Sequence, residues 1–119
     1  MTNLYREEIL EHYNNPLNFG KIKKFDKSSK QLNPFCGDEV EMFIEFSKNK
    51  ISNISFLAKG CAISIASCSI LSDFVKGKTK KELTKFSEKD MLDLLGIEVS
   101  ETRKKCALLA LFVLRGCLK

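Results

Sequence analysis

The chain reads Glu39-Val40-Glu41-Met42-Phe43-Ile44-Glu45-Phe46, then Ser47-Lys48-Asn49-Lys50, then Ile51-Ser52-Asn53-Ile54-Ser55-Phe56-Leu57-Ala58. Successive side chains of a strand point to opposite faces, so a period of two marks a half-buried strand. Val40, Met42, Ile44 and Phe46 fall on one face, and Glu39, Glu41 and Glu45 on the other, with Phe43 breaking the pattern. Ile54 and Phe56 share a face of the second run, and the four polar residues between the runs predict a turn. The expectation is an antiparallel hairpin with one apolar face that needs a cover.

Helices supply that cover. Leu4 to Tyr13 places Tyr5, Ile9, Leu10 and Tyr13 at helical spacing, with Asn3 available as a cap and Asn14-Asn15-Pro16 as a stop. Residues 16–31 form a polar, Lys-rich connection, expected to be mobile in part; residues 26–32, around its end, leave room for one further strand. Ala62 to about Val75 predicts a helix with a stripe of Ile63, Ala66, Ile70 and Phe74, ended by Gly77. Thr79-Lys80-Lys81-Glu82 has capping-box spacing, and Ser87-Glu88-Lys89-Asp90 a close variant. The second opens a helix over 88–95 that Gly96 stops. Ser100 caps a last helix over about 101–116, whose apolar face includes Cys106, Leu109, Ala110, Val113 and Leu114. The order predicts one α+β domain over 1–119, a small antiparallel sheet with helices packed on one face.

The 119 residues suffice for a single core, and at 44% hydrophobic a packed domain is expected. The start of the chain carries early acidic residues and no apolar signal segment, and the C-terminal apolar run is too short to cross a bilayer. A cytoplasmic location and no membrane role are expected. The net charge of +5 comes from a Lys-rich excess in which the only Arg residues are Arg6, Arg103 and Arg115. Nucleic-acid readers lean on Arg for bidentate contacts, so no nucleic-acid partner is expected.

The hairpin is flanked by sulfur. Asn33-Pro34-Phe35-Cys36-Gly37-Asp38 leads into its first strand, and Lys59-Gly60-Cys61 leaves its second. In an extended segment Cys36 and Asp38 face the same side, and Gly37 lets the backbone bend. Cys61 falls at a strand-to-helix junction, where free N–H groups and the helix dipole favour a thiolate. Cys106 lies one to two turns into the last helix, with Arg103 one helical step before it. Three thiols and a carboxylate make the four ligands of tetrahedral zinc, and the hard oxygen of Asp38 hints at a position that exchanges. The spacings of 25 and 45 positions match no zinc-finger pattern, and spacing alone favours scattered core cysteines. His12, the sole histidine, is expected to be a packing or surface residue rather than a ligand; Cys68 is expected in the core, and Cys117 to be incidental.

The local sequences shift that balance. Asn33 to Asp38 resembles the N-P-x-C-G-D motif of the IscU/SufU/NifU-N iron–sulfur assembly family. Gly60-Cys61-Ala62-Ile63-Ser64 resembles its second cysteine motif, and Arg103-Lys104-Lys105-Cys106-Ala107-Leu108-Leu109 its third. Leu4 to Tyr13, through Asn15-Pro16, resembles its N-terminal signature. Lys105 stands where the IscU branch has His. Ile97-Glu98-Val99-Ser100-Glu101 stands where that branch has Leu-Pro-Pro-Val-Lys. Both features resemble the SufU branch, without that branch's usual insertion between the second and third cysteines.

The resemblance implies a chain that accepts persulfide sulfur from a cysteine desulfurase and serves downstream assembly or acceptor proteins. It implies metal ligands Cys36, Asp38, Cys61 and Cys106, and Arg103 beside them. A SufU-type relay would be a zinc-dependent sulfurtransferase with Cys36 as persulfide acceptor. An IscU-type scaffold would build a [2Fe–2S] cluster on Cys36, Cys61 and Cys106, would hold iron in place of zinc, and favours Cys106 as acceptor. The competing expectation is a small zinc-stabilised binding module without sulfur chemistry.

Overall fold

The computed structural model describes residues 3–34 and 37–119. Eight elements follow in order: α1 (Asn3–Asn14), β1 (Lys27–Leu32), β2 (Glu39–Ser47), β3 (Lys50–Lys59), α2 (Ala62–Val75), α3 (Lys80–Thr84), α4 (Glu88–Leu95) and α5 (Glu101–Leu118). The sheet is antiparallel throughout in the order β1-β2-β3. Helices α2 and α5 pack on the sheet, α1 packs on α2, and α4 on α5. The expected α+β architecture is the observed one.

Hairpin geometry follows the sequence closely. Lys48 and Asn49 both adopt positive φ, 53° and 66°, which gives the two-residue turn the twist that its flanking strands need. Val40, Met42, Ile44, Ile54 and Phe56 are buried under the helices. A register shift between Glu45 and Phe46 ends the alternation. Phe46 is therefore only partly buried, with the Lys80 ammonium 4.3 Å from its ring centre.

Phe43 breaks the pattern because the sheet's other face is also covered there. The connection from Asn18 to Asp26 crosses that face as a strap. Gly20 N–H donates to Phe56 O at 2.8 Å, and Phe56 N–H to Asn18 O at 3.0 Å. Ile22 N–H donates to Ser55 Oγ at 3.0 Å, and Asp26 N–H to Ile44 O at 2.8 Å. Phe25 meets Phe43 edge-on at 5.1 Å. A segment expected to be partly mobile is thus tied along its length, by backbone hydrogen bonds that composition does not reveal. Strand β1 follows it. Its sparse apolar signal reflects an edge position that is mostly exposed and carries Lys27 and Lys30.

Helix α2 departs from expectation in its buried face. Only Ala66 of the predicted stripe is fully buried; Ile63, Ile70 and Phe74 lie at its margin. The deepest face carries Ser64, Ser67, Cys68, Ser69, Leu71, Ser72 and Val75. The helix is wedged between α1, α5 and the sheet, so small residues let three neighbours approach. Each buried hydroxyl has a partner. Ser67 Oγ donates to Ile63 O at 2.6 Å, Ser72 Oγ donates to Ser69 O at 2.9 Å, and Ser69 Oγ accepts Leu17 N–H at 2.8 Å. His12 packs as expected, with its Nδ1 2.7 Å from Ser69 Oγ.

The two capping boxes form as expected at Thr79 and Ser87, Gly96 closes α4 at φ 69°, and Ser100 caps α5. Cys117 requires a correction: it is fully buried in the core rather than incidental, with Sγ 3.9 Å from Met42 O. Leu111, at the centre of α5, is fully buried, whereas Leu32 is 59% exposed at the end of the edge strand. In urea unfolding, Leu111→Ala is expected to cost about 2–5 kcal/mol. Leu32→Ala is expected to stay within about 0.5 kcal/mol.

Candidate metal centre

The site lies where the hairpin ends meet two helices. Pairing of Glu39 with Lys59 brings the residues before β2 alongside those after β3. Asp38 therefore lies against Gly60 and Cys61. Gly60 holds φ +153°, and a Cβ placed there would run into the Asp38 carboxyl group. The glycine is required twice, for the backbone conformation and for that close approach.

Cys61 is the N-cap residue of α2, and its own side chain makes no capping hydrogen bond. Asp38 supplies the missing acceptor from the neighbouring strand. Its Oδ1 accepts Cys61 N–H at 3.1 Å, and its Oδ2 accepts the Ser64 hydroxyl at 2.7 Å. Only 2% of Asp38 is exposed. A buried carboxylate is costly unless hydrogen-bonded, and here it sits at the positive end of a helix with two donors aimed at it. Cys61 Sγ lies 3.8 Å from Asp38 Oδ2.

Cys106 completes the described cluster from α5. It is buried, and its carbonyl lies 3.3 Å from Ser64 Oγ. One oxygen of Asp38 and the sulfurs of Cys61 and Cys106 all lie within 4.8 Å of one another. Two thiols and a carboxylate at that separation can close on a single ion with modest movement. They come from three separate parts of the fold, as expected. Cys36, the fourth expected ligand, lies outside the described residues. On either side of it, Asn33 N–H donates to Asp38 O at 2.7 Å, and Gly37 N–H to Asn33 O at 2.8 Å. Gly37 holds φ +75°, the backbone freedom expected of it.

Arg103 is exposed and lines a groove that also takes in Ala62 and Ile63, the residues after Cys61. The groove, about 340 Å³, runs between α1 and the start of α5 and is floored by Ile9, Ala62 and Ile63, with Arg6 and Arg103 at its edge. Lys104 pairs with Glu101 at 2.8 Å on the surface. Sequence reasoning passed over Ser64. Its signal was position: with Cys61 as N-cap, Ser64 is the third helical residue and returns to the same end of α2.

Burial separates the thiols. It pushes Cys117 up to about 12, partly opposed by Lys27. Burial first, and then the Asp38 charge, push Cys68 up further still. Cys61 is only half-buried.

The family profile "NifU-like N terminal domain" matches residues 4–119. The chain belongs to this family. An iron–sulfur cluster assembly scaffold protein IscU 1 of Archaeoglobus fulgidus is 34% identical over 112 residues, covering 94% of this chain and 72% of that protein. The IscU of Haemophilus influenzae is 31% identical, covering 89% and 86%. Among solved structures, a putative iron–sulfur cluster assembly scaffold protein for the SUF system from Fervidobacterium islandicum superposes with a TM-score of 0.83 at 31% identity, covering 95% of each chain. The fold and the family expected from the cysteine motifs are therefore those found.

Two outcomes test this geometry. Gly60→Ala should destabilise the fold by about 1–3 kcal/mol in thermal unfolding, because a side chain there meets strained backbone and Asp38 together. Brief alkylation of the folded, metal-free protein near pH 8 should label Cys61 and spare Cys68 and Cys117, read by peptide mass mapping, since the thiolate is the nucleophile. Thiols raised by burial favour folding fully below their ordinary value of 9.0, and this contribution is lost as pH climbs towards about 12 for Cys117.

Proposed function

We propose that this chain is an iron–sulfur cluster assembly protein that takes sulfur from a cysteine desulfurase. The observation that carries the reading is the convergence of Asp38, Cys61 and Cys106 at the α2 N-terminus, with atoms of all three within 4.8 Å. The relatives named as assembly scaffolds support it, as does the Cys36 motif on the adjoining loop. Iron and sulfide are then cargo. Zinc in the same set would act as a resident ion that holds the thiolates ready, a role suited to their soft sulfur donors.

The sulfur step needs no external oxidant. The thiolate of Cys36 attacks the outer sulfur of the desulfurase persulfide. A new S–S bond forms on Cys36, the enzyme's S–S bond breaks, and the enzyme leaves as its thiolate. The groove that follows Cys61 through Ala62 and Ile63 is lined by Arg6 and Arg103 against the single acid Glu98, a balance that suits an anionic sulfur donor. Asp38, held at the helix end, offers the one hard ligand among soft ones, and so the coordination position that exchanges most readily.

The core does not depend on this site. Ile44, Ile51, Leu71, Leu83, Met91 and Leu114 are fully buried among themselves and their neighbours. Removing metal with a chelator is expected to leave the helical circular dichroism largely intact; complete unfolding would favour the zinc-stabilised binding module. With a desulfurase and cysteine, the protein should gain one sulfur by mass. Cys36→Ala should abolish that gain without unfolding. Addition of ferrous iron then divides the two modes: visible cluster absorbance marks a scaffold, and faster desulfurase turnover over bound zinc marks a relay. Absence of both would overturn the proposal.

A further inference from the structure

We infer that Ser64 is a positioning residue for metal capture, fixing the Asp38 carboxylate so that it meets an incoming ion already oriented towards Cys61 and Cys106. The inference rests on the reading of this cluster as a metal site. It adds a residue that is not itself a ligand.

Ser64 is 1% exposed, so its hydroxyl must find its partners within the protein. Two acceptors lie in reach: Asp38 Oδ2 at 2.7 Å and Cys106 O at 3.3 Å. A hydroxyl has one proton to donate. The shorter contact to the charged acceptor takes it, because a hydrogen bond to a carboxylate is roughly twice as strong as one between neutral groups. Ser64 thus ties the start of β2 to the first turn of α2, at the level where α5 presents Cys106.

The effect on Asp38 is geometric. Cys61 N–H holds Oδ1 and Ser64 holds Oδ2, so rotation of the carboxyl group is blocked at both oxygens. The ordering of this ligand is complete before metal arrives, which lowers the cost of binding. Backbone supplies the Oδ1 donor whatever the side chain at position 61. At Oδ2 the Ser64 hydroxyl is the short contact, at 2.7 Å, while Cys61 Sγ lies farther off at 3.8 Å.

A double-mutant cycle on the full chain, with Zn²⁺ alone as the probe, tests this. Affinity is measured by competition against a chromophoric chelator, with circular dichroism checking the fold. Ser64→Ala removes one atom from a helix and introduces the best helix former. It is expected to weaken Zn²⁺ binding about 10–100-fold, the usual loss when a ligand's outer partner is removed. In an Asp38→Ala background the same change should have no further effect; Asp38→Asn serves if the alanine variant does not fold. A role through helix stability or the Cys106 carbonyl would instead weaken binding equally in both backgrounds, and would overturn the inference. So would unchanged affinity in Ser64→Ala. Failure of the unmodified protein to bind Zn²⁺ would overturn the metal-site reading itself, and shows before any variant is made.

Discussion

The site depends on a carboxylate buried at the end of a helix that does not cap itself. Cys61 occupies the N-cap of α2 but offers no side-chain acceptor to the helix. Asp38 provides one from across the hairpin, through Cys61 N–H and the Ser64 hydroxyl. The charge is tolerable there because the helix end and two donors meet it together. Gly60 must then lack a side chain, the hairpin register must hold Glu39 opposite Lys59, and α2 must start where β3 ends. One electrostatic requirement therefore fixes three neighbouring features of the fold.

That arrangement explains why the sheet and helices pack as they do. Helix α5 must come close enough to α2 to bring Cys106 within 4.8 Å of the other two ligands. The serine-rich face of α2 allows this approach, since small side chains let helices and sheet close in without voids. The hydroxyls satisfy themselves on backbone carbonyls or on neighbours such as His12, so the close packing strands no buried polar group among the described residues. A cluster of buried apolar side chains lies beyond the site.

Much of the fold was legible because local rules and tertiary structure agree. The alternation in β2, the positive-φ turn at Lys48 and Asn49, and the capping boxes at Thr79 and Ser87 each satisfy their own backbone, so periodicity and capping rules found them. The misreadings share one cause. The strap over 18–26, the serine face of α2 and the burial of Cys117 are all set by contacts between distant segments. Lys-rich and serine-rich sequence carries no apolar period, so a pattern sought in hydrophobicity passes over such contacts.

The sequence by itself determined the elements, their order, the ligand types and the family, because each is written in short stretches a few residues long. Tertiary structure alone decided that Asp38 caps α2, that Ser64 holds Asp38, and that Cys61 and Cys106 share a site while Cys68 and Cys117 lie in the core. The five cysteines are chemically identical in the sequence. Burial and the approach of a carboxylate separate them, and both arise only when segments far apart in the chain are packed together.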